Sequence, residues 1–289
     1  MKVWQGLGYY SRARNLHRAA QIIYEERGGK IPESYQELLK IPGIGPYTAA
    51  AVASFAFREA VPVVDGNVIR FLSRFFGLYL DPGQNRAKKT FHQKASEIID
   101  RDRPDVFNQA IMDFGSTHCL RRNPGCDSCP FQSFCYAFEH GVVDDLPIRK
   151  ERKKLRKRYF HYFVLPGDGH LLIRKREQKD IWQSLYEFPM VETDHPVSPG
   201  HLSDLTDYIQ LLGKGSGEII KHTGVFKHIL SHQQIYARFY LVCLPGDNIL
   251  DSTGLLQVEI SKLRSYPLPR LLDKFLMEDT WADWISSYC

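Results

Sequence analysis

Four cysteines within seventeen residues constrain this chain more than any other feature. Cys119, Cys126, Cys129 and Cys135 have the spacing C-x6-C-x2-C-x5-C. A loop that short can wrap one ion or one small cluster, and four thiolates suit tetrahedral zinc and an iron–sulfur cluster alike. Spacing alone leaves that choice open. The opening residues, Met1-Lys2-Val3-Trp4-Gln5-Gly6, carry no apolar signal core and no small-residue cleavage site. A reducing cytoplasm is therefore expected, where clustered thiols hold metal more often than they form disulfides. Cys243 and Cys289 fall outside the cluster and read as an ordinary core thiol and a terminal one.

With 289 residues, 43% of them hydrophobic and 25% charged, the chain has room for two domains with cores of their own. No run approaches the roughly 18 apolar residues of a membrane span, so no membrane partner is expected. Charge is uneven. Residues 1–140 carry 18 Lys/Arg against 14 Asp/Glu, residues 141–158 carry 8 against 3, and residues 159–289 carry 12 against 16. A basic front half joined to a mildly acidic back half implies that the front faces a polyanion.

The periodicity divides the chain at the same places. Residues 1–140 read as a string of helices, residues 141–158 as a basic linker, and residues 159–289 as an α+β domain. Arg14 to Glu26 places Leu16, Ala19, Ala20, Ile22 and Ile23 at helical spacing, and Gly28-Gly29 ends it. Ser34 can cap a short helix, and Pro46 suits the first turn of the next. Further helices are expected over Val68–Phe76, Arg86–Ile99 and Asp105–Phe114. Eight of the ten residues from Arg149 to Arg158 are basic, without apolar periodicity, which reads as a solvated tether. After it, Tyr159–Leu165, Leu171–Arg176 and Ile235–Leu244 are aromatic or β-branched runs expected to be strands. Helices are expected near Leu205–Leu212 and Pro269–Met277.

Two segments of the helical part carry chemistry. Ile41-Pro42-Gly43-Ile44-Gly45-Pro46-Tyr47-Thr48 links two helices through a tight turn. Its glycines permit positive φ and close backbone approach, and amides at a helix start can hold a phosphate without reading sequence. Eighteen residues beyond Tyr47, the run Val61-Pro62-Val63-Val64 delivers Asp65 to a helix start. That carboxylate reads either as an N-cap or as a group that stabilises positive charge on a sugar.

Taken together and in order, Leu7-Gly8-Tyr9-Tyr10-Ser11-Arg12-Ala13-Arg14-Asn15-Leu16, the hairpin, Val64-Asp65-Gly66-Asn67-Val68, Phe107-Asn108-Gln109-Ala110 and the cysteine spacing resemble the endonuclease III superfamily of helix–hairpin–helix glycosylases, and within it the MutY type. The resemblance runs through the whole chain. It implies an all-α helix–hairpin–helix glycosylase domain with an iron–sulfur loop, followed by a Nudix-like α+β domain, and it favours a [4Fe–4S] cluster on the four cysteines. It implies a DNA N-glycosylase that removes adenine opposite 8-oxoguanine or guanine in duplex DNA, acting as a monomer in a bacterial cytoplasm. Asp65, Asn67 and Tyr47 would be catalytic, with Tyr47 lining the adenine pocket. Gly43, Gly45, Leu7 and Tyr9 would contact DNA. Lyase members carry a Schiff-base lysine where Tyr47 stands, so strand cleavage is not expected.

In the second domain, Ile181–Pro189 is similar to the family's strand and turn, and Phe226–His232 to its lesion-reading loop. Ser231 and His232 would read the altered base, while Leu230 replaces the family's usual phenylalanine. The paired glutamates of a Nudix hydrolase helix are not present, so pyrophosphate hydrolysis is not expected. In the family the acid that protonates adenine is a glutamate upstream of the Leu-Gly-Tyr-Tyr segment. Only six residues precede Leu7, which implies a truncated enzyme and leaves the activity of the 289-residue chain open. A non-catalytic iron–sulfur DNA-binding protein and an endonuclease III-like lyase are the alternatives.

Overall fold

Small side chains and well-placed caps assemble the helical part. A computed structural model describes residues 1–148, 155–212, 217–243 and 254–288. Seven helices occupy the first half: α1 (Ser11–Arg27), α2 (Tyr35–Leu39), α3 (Pro46–Phe57), α4 (Gly66–Phe76), α5 (Asn85–Ile98), α6 (Pro104–Thr117) and α7 (Tyr136–Glu139). Ser34 caps α2 by accepting from the Glu37 amide at 3.3 Å. Ala49, Ala50, Ala53 and Ser54 are buried on α3, and side chains that small let α2 and α6 come close. Leu38, Ala49 and Ala53 form one small core. A larger one joins Val68, Phe71 and Leu72 of α4 to Phe91 of α5 and Ile111 of α6. Gly77 ends α4 at φ +65, where a Cβ would lie 2.5 Å from the Tyr136 ring, so only glycine fits.

The second half holds β1 (Arg156–Val164), β2 (Pro166–Gly167), β3 (His170–Lys175), β4 (Tyr186–Glu187), β5 (Met190–Thr193), α8 (Thr206–Leu212), β6 (Glu218–His222), β7 (Phe226–Ile229), β8 (Gln233–Cys243), β9 (Leu255–Glu259), α9 (Arg270–Phe275) and α10 (Asp279–Tyr288). β5, β1, β8 and β6 form one sheet in that order, with β7 also on β8. The central β1–β8 pair is parallel and its other pairs antiparallel. β2, β3 and β4 form a second sheet, with β9 on β3. Alternation along β1 sends Phe160, Tyr162 and Val164 into a core with Phe239, Leu271, Phe275 and Trp284. Phe163 and Leu165 go to the opposite face, under Leu202, Tyr208 and Leu212.

By contacts the chain forms two units, Arg14–Arg152 and Met1–Ala13 with Lys153–Cys289. The expected boundary kept residues 1–140 together; here the first thirteen join the sheet unit. Tyr10 is buried in its core beside partly buried Met1 and Trp4, and the Gln5 amide donates to both Asp273 oxygens at 2.9 and 3.1 Å. The linker reading also changes. Residues 149–154 lie outside the described residues, but Arg156, Lys157 and Arg158 already belong to β1, and Arg158 is buried between Asp180 and Glu192. Cys243 is exposed rather than a core thiol, and Cys289 lies outside the described residues. Among the described residues no helix is long and apolar enough to cross a membrane.

Candidate functional site

The hairpin between α2 and α3 turns at Ile41–Ile44, where the Ile44 amide donates to the Ile41 carbonyl at 3.1 Å. Gly43 is demanded twice over: its φ is +92, and a Cβ would sit 2.7 Å from the Asn15 Cβ. Gly45 has an ordinary φ of −88 and caps α3, so positive φ holds for Gly43 alone. Nothing stands within 4 Å of a Cβ built on Gly45, and Pro46, Tyr47 and Thr48 are exposed beside it. The first amides of a twelve-residue helix thus open to solvent, a ready anion site.

Asp65 is held by three donors. Its Oδ1 accepts from the Asn67 and Val68 amides, each at 2.8 Å, and its Oδ2 accepts from the Asn67 side-chain amide at 2.9 Å. The N-cap reading therefore holds, and it fixes the carboxylate's orientation. The segment leading in is clamped by Asn108 of α6, fully buried. Asn108 accepts from the Val63 amide at 2.8 Å and donates to the Ser54 hydroxyl and the Val61 carbonyl at 2.8 and 2.9 Å. Each polar atom of that amide is satisfied, which makes the clamp stiff.

From Asp65 the network runs outward. Asn67 Oδ1 accepts from Arg70 at 3.0 Å, and Arg70 donates also to the Gly115 carbonyl and to the Cys119 carbonyl, the latter at 2.7 Å. A Cβ on Gly115 would lie 2.8 Å from the Asn67 carbonyl oxygen, so glycine lets α6 approach the start of α4. One turn after Arg70, Arg74 donates to the Val143, Leu146 and Leu120 carbonyls and lies 3.4 Å from the Cys119 sulfur. Its Nη2 is buried without a partner, as is His118 Nε2.

The cysteine loop is wound in two 3-10 turns, Cys126–Ser128 and Gln132–Phe134, and Gln132 braces it by donating to the Cys126 carbonyl at 3.0 Å. Cys119, Cys126, Cys129 and Cys135 all line one cavity, walled by Phe71, Phe75, Phe114 and Phe131. No three His, Cys, Asp or Glu side chains among the described residues converge closely enough for a single ion. Burial raises the Cys126 and Cys129 thiols above the usual range, and the neighbouring cysteines add to the rise.

Ser231 and His232 form the exposed two-residue tip of the β7–β8 hairpin, closed by the Leu230 amide on the Gln233 carbonyl at 2.8 Å. Leu230 packs against the core of the sheet unit. Leu7, between Gly6 and Gly8 at positive φ, and Tyr9, itself at φ +45, are exposed in that same unit. The hairpin, Asp65, Asn67, Tyr47 and the cysteines all belong to the helical unit. Asn108, Arg70, Arg74 and Gly115 carry no assigned role in the sequence reading. The available signal was a polar residue or arginine on an otherwise apolar helix stripe.

Comparison with known proteins agrees with the change from a helical part to a sheet part, but groups the first thirteen residues with the helices, as the sequence does. Residues 1–97 match the model of the HhH-GPD superfamily base excision DNA repair proteins, and residues 161–278 match the NUDIX domain. The helical part thus carries the match to that repair superfamily, and the NUDIX match lies behind it. Within the superfamily its relatives are adenine DNA glycosylases. That of Buchnera aphidicola subsp. Baizongia pistaciae is 31% identical over 239 residues, covering 82% of this chain and 64% of the relative. That of Arabidopsis thaliana is 33% identical over 270 residues, covering 85% and 43%. The chain thus spans roughly half to two thirds of these relatives' length. A solved thermostable thymine-DNA glycosylase is 30% identical with a TM-score of 0.41, over 44% of this chain and 58% of that one.

Proposed function

We propose that the chain is the core of a monofunctional adenine DNA glycosylase, acting on adenine opposite 8-oxoguanine or guanine. The observation that carries this reading is Asp65, a carboxylate aimed by three donors and backed by the Asn108 clamp and the Asn67–Arg70 chain. Adenine buried in a duplex must be flipped out before its glycosidic bond is reached. As that bond breaks, positive charge grows on the sugar, and a preoriented carboxylate lowers the barrier without reorganising. Asn67 positions Asp65, and Tyr47 at the start of α3 lines the base pocket. Gly43, Gly45 and the α3 amides hold a backbone phosphate, Leu7 and Tyr9 wedge into the stack, and Ser231 with His232 reads the opposite base. The position of the lyase lysine is Tyr47, so abasic DNA is left uncut.

The four cysteines fit a [4Fe–4S] cluster. All four line one cavity, four thiolates are the ligand set such a cluster takes, and Arg74 offers buried positive charge beside them. Cys119, Cys126, Cys129 and Cys135 would hold such a cluster, which would tie the loop together and supply negative charge near Arg74. Arg70 links the Cys119 carbonyl to Asn67, so an ordered loop also steadies Asp65.

The test is single-turnover adenine excision from an A:8-oxoguanine duplex, paired with binding of a duplex carrying a cationic pyrrolidine in place of the target sugar. Asp65→Asn is expected to slow excision by at least about 10²–10³-fold. It is also expected to abolish the preference for the cationic sugar over a neutral abasic analogue. A chain that binds both analogues equally, with Asp65 intact, would be a non-catalytic DNA-binding protein.

A further inference from the structure

Among the described residues, one face of the five-stranded sheet is covered at one end only. Phe163, Tyr240 and Val242 lie under Leu202, Tyr208 and Leu212. Toward the start of β1 the same face carries an open groove of about 430 Å³, lined by Tyr159, His161, Val197, Val225, Tyr236 and Arg238. That is room for one nucleobase-sized ligand.

Strand register sets what stands there. Lys157 lies opposite Gln234, Tyr159 opposite Tyr236 and His161 opposite Arg238, while Lys227 flanks Tyr236 from β7 and Thr193 flanks Tyr159 from β5. Three cations and two tyrosines interleave at these positions, and none of them is a carboxylate. Beyond the end of β5, Asp194 is turned to the His195 ring at 2.5 Å. The tyrosine rings are stacked, centroids 5.1 Å apart at 14°. His161 is fixed at the floor by the Tyr240 and Thr193 hydroxyls, both at 3.1 Å. Burial and nearby Arg238 bring its pKa down to about 4, so the floor is neutral and the guanidinium is its charge. Arg238 Nε is buried without a hydrogen-bond partner among the described residues.

We propose that this groove binds an unstacked nucleotide, its base against the Tyr159/Tyr236 pair and its phosphate on Arg238 and Lys227. Aromatic rings accept any base face, and interleaved cations track the backbone, the combination that single-strand platforms use. A free mononucleotide and an unpaired nucleotide of a DNA strand share this chemistry. None of the residues placed in the glycosylase site takes part, so either reading can fail alone.

The 289-residue chain is titrated with deoxyguanosine monophosphate by calorimetry. Separately, it is irradiated with a short single-stranded oligonucleotide carrying 5-iodouracil, and cross-links are mapped by mass spectrometry. Cross-links to Tyr159 or Tyr236 are expected. Tyr236→Ala is expected to weaken binding about tenfold. Exposed Lys227→Gln is expected to reduce the slope of log affinity against log salt by about 0.7. Mononucleotide binding would identify a free nucleotide as sufficient; strand cross-links without it would identify the strand. Cross-links confined to other segments and no mononucleotide binding would overturn the proposal. So would unchanged binding by Lys227→Gln, which also decides the matter if Tyr236→Ala does not fold.

Discussion

Arg74 in the helical unit is 2% exposed, and Arg158 and Arg176 in the sheet unit are 5% and 9% exposed, yet their surroundings differ in sign. Arg158 is held by Asp180 at 2.7 Å and Glu192 at 2.5 Å, and Arg176 by Asp180 at 2.9 Å and Glu187 at 2.8 Å. Glu187, itself buried, also takes Arg174 at 3.2 Å and the Tyr162 hydroxyl at 3.2 Å. Burial pushes the Asp180 carboxyl up, but Arg158, the Ile181 amide and Arg176 outweigh it and leave it below the usual range. Among the described residues Arg74 has no carboxylate partner; it has carbonyls, one nitrogen without a partner and a cysteine sulfur. A buried cation is costly unless its charge is met. One network closes on itself, and the other meets its cation with carbonyls and a cysteine sulfur.

The largest expected effect tests the closed network. Glu187→Ala strands Arg176 and Arg174, and is expected to cost about 3–5 kcal/mol in urea unfolding of the sheet unit, with or without iron. A smaller loss would mean that water reaches these arginines. Next comes acid. His161 is neutral in the fold, with a pKa of about 4 against an ordinary value of 6.5. Because its folded pKa is depressed, stability is complete above about pH 6.5 and falls as pH drops toward 4, by up to about 3 kcal/mol. His161→Gln should flatten that window in pH-dependent urea unfolding, and a sheet unit equally stable at both ends would contradict the burial. The smallest effect has a sign to it. Arg74→Met is expected to destabilise the iron-loaded chain and to stabilise the iron-free one, each by about 1–3 kcal/mol. The same sign in both forms would show that Arg74 answers the surrounding carbonyls and not the cysteine site.

Much of this was readable locally. The cap of α2, the first-turn proline of α3, the Asp65 delivery run and the strands around Phe160 and Phe239 each depend on neighbours within a few residues. The contrast between the arginine networks was not readable. The charge run from Arg149 reads as solvated because the acids that bury Arg158 lie 22 and 34 residues on. Asn108 clamps an irregular segment 45 residues before it. Tyr10 reads as part of a helical glycosylase segment, yet it packs in the sheet unit's core.

The sequence by itself determined the close spacing of the four cysteines, the hairpin that needs Gly43, the helix that Asp65 caps and the change from helices to strands. Spacing, caps and alternation act through the adjacent backbone, so they survive without a fold. Tertiary structure decided which charges are answered and by what: Arg158 by two acids, Arg74 by none, Asp65 through Asn67 and Arg70, and an open tyrosine–arginine groove on the sheet. Those outcomes depend on partners tens of residues apart, and only packing brings such partners within hydrogen-bond range.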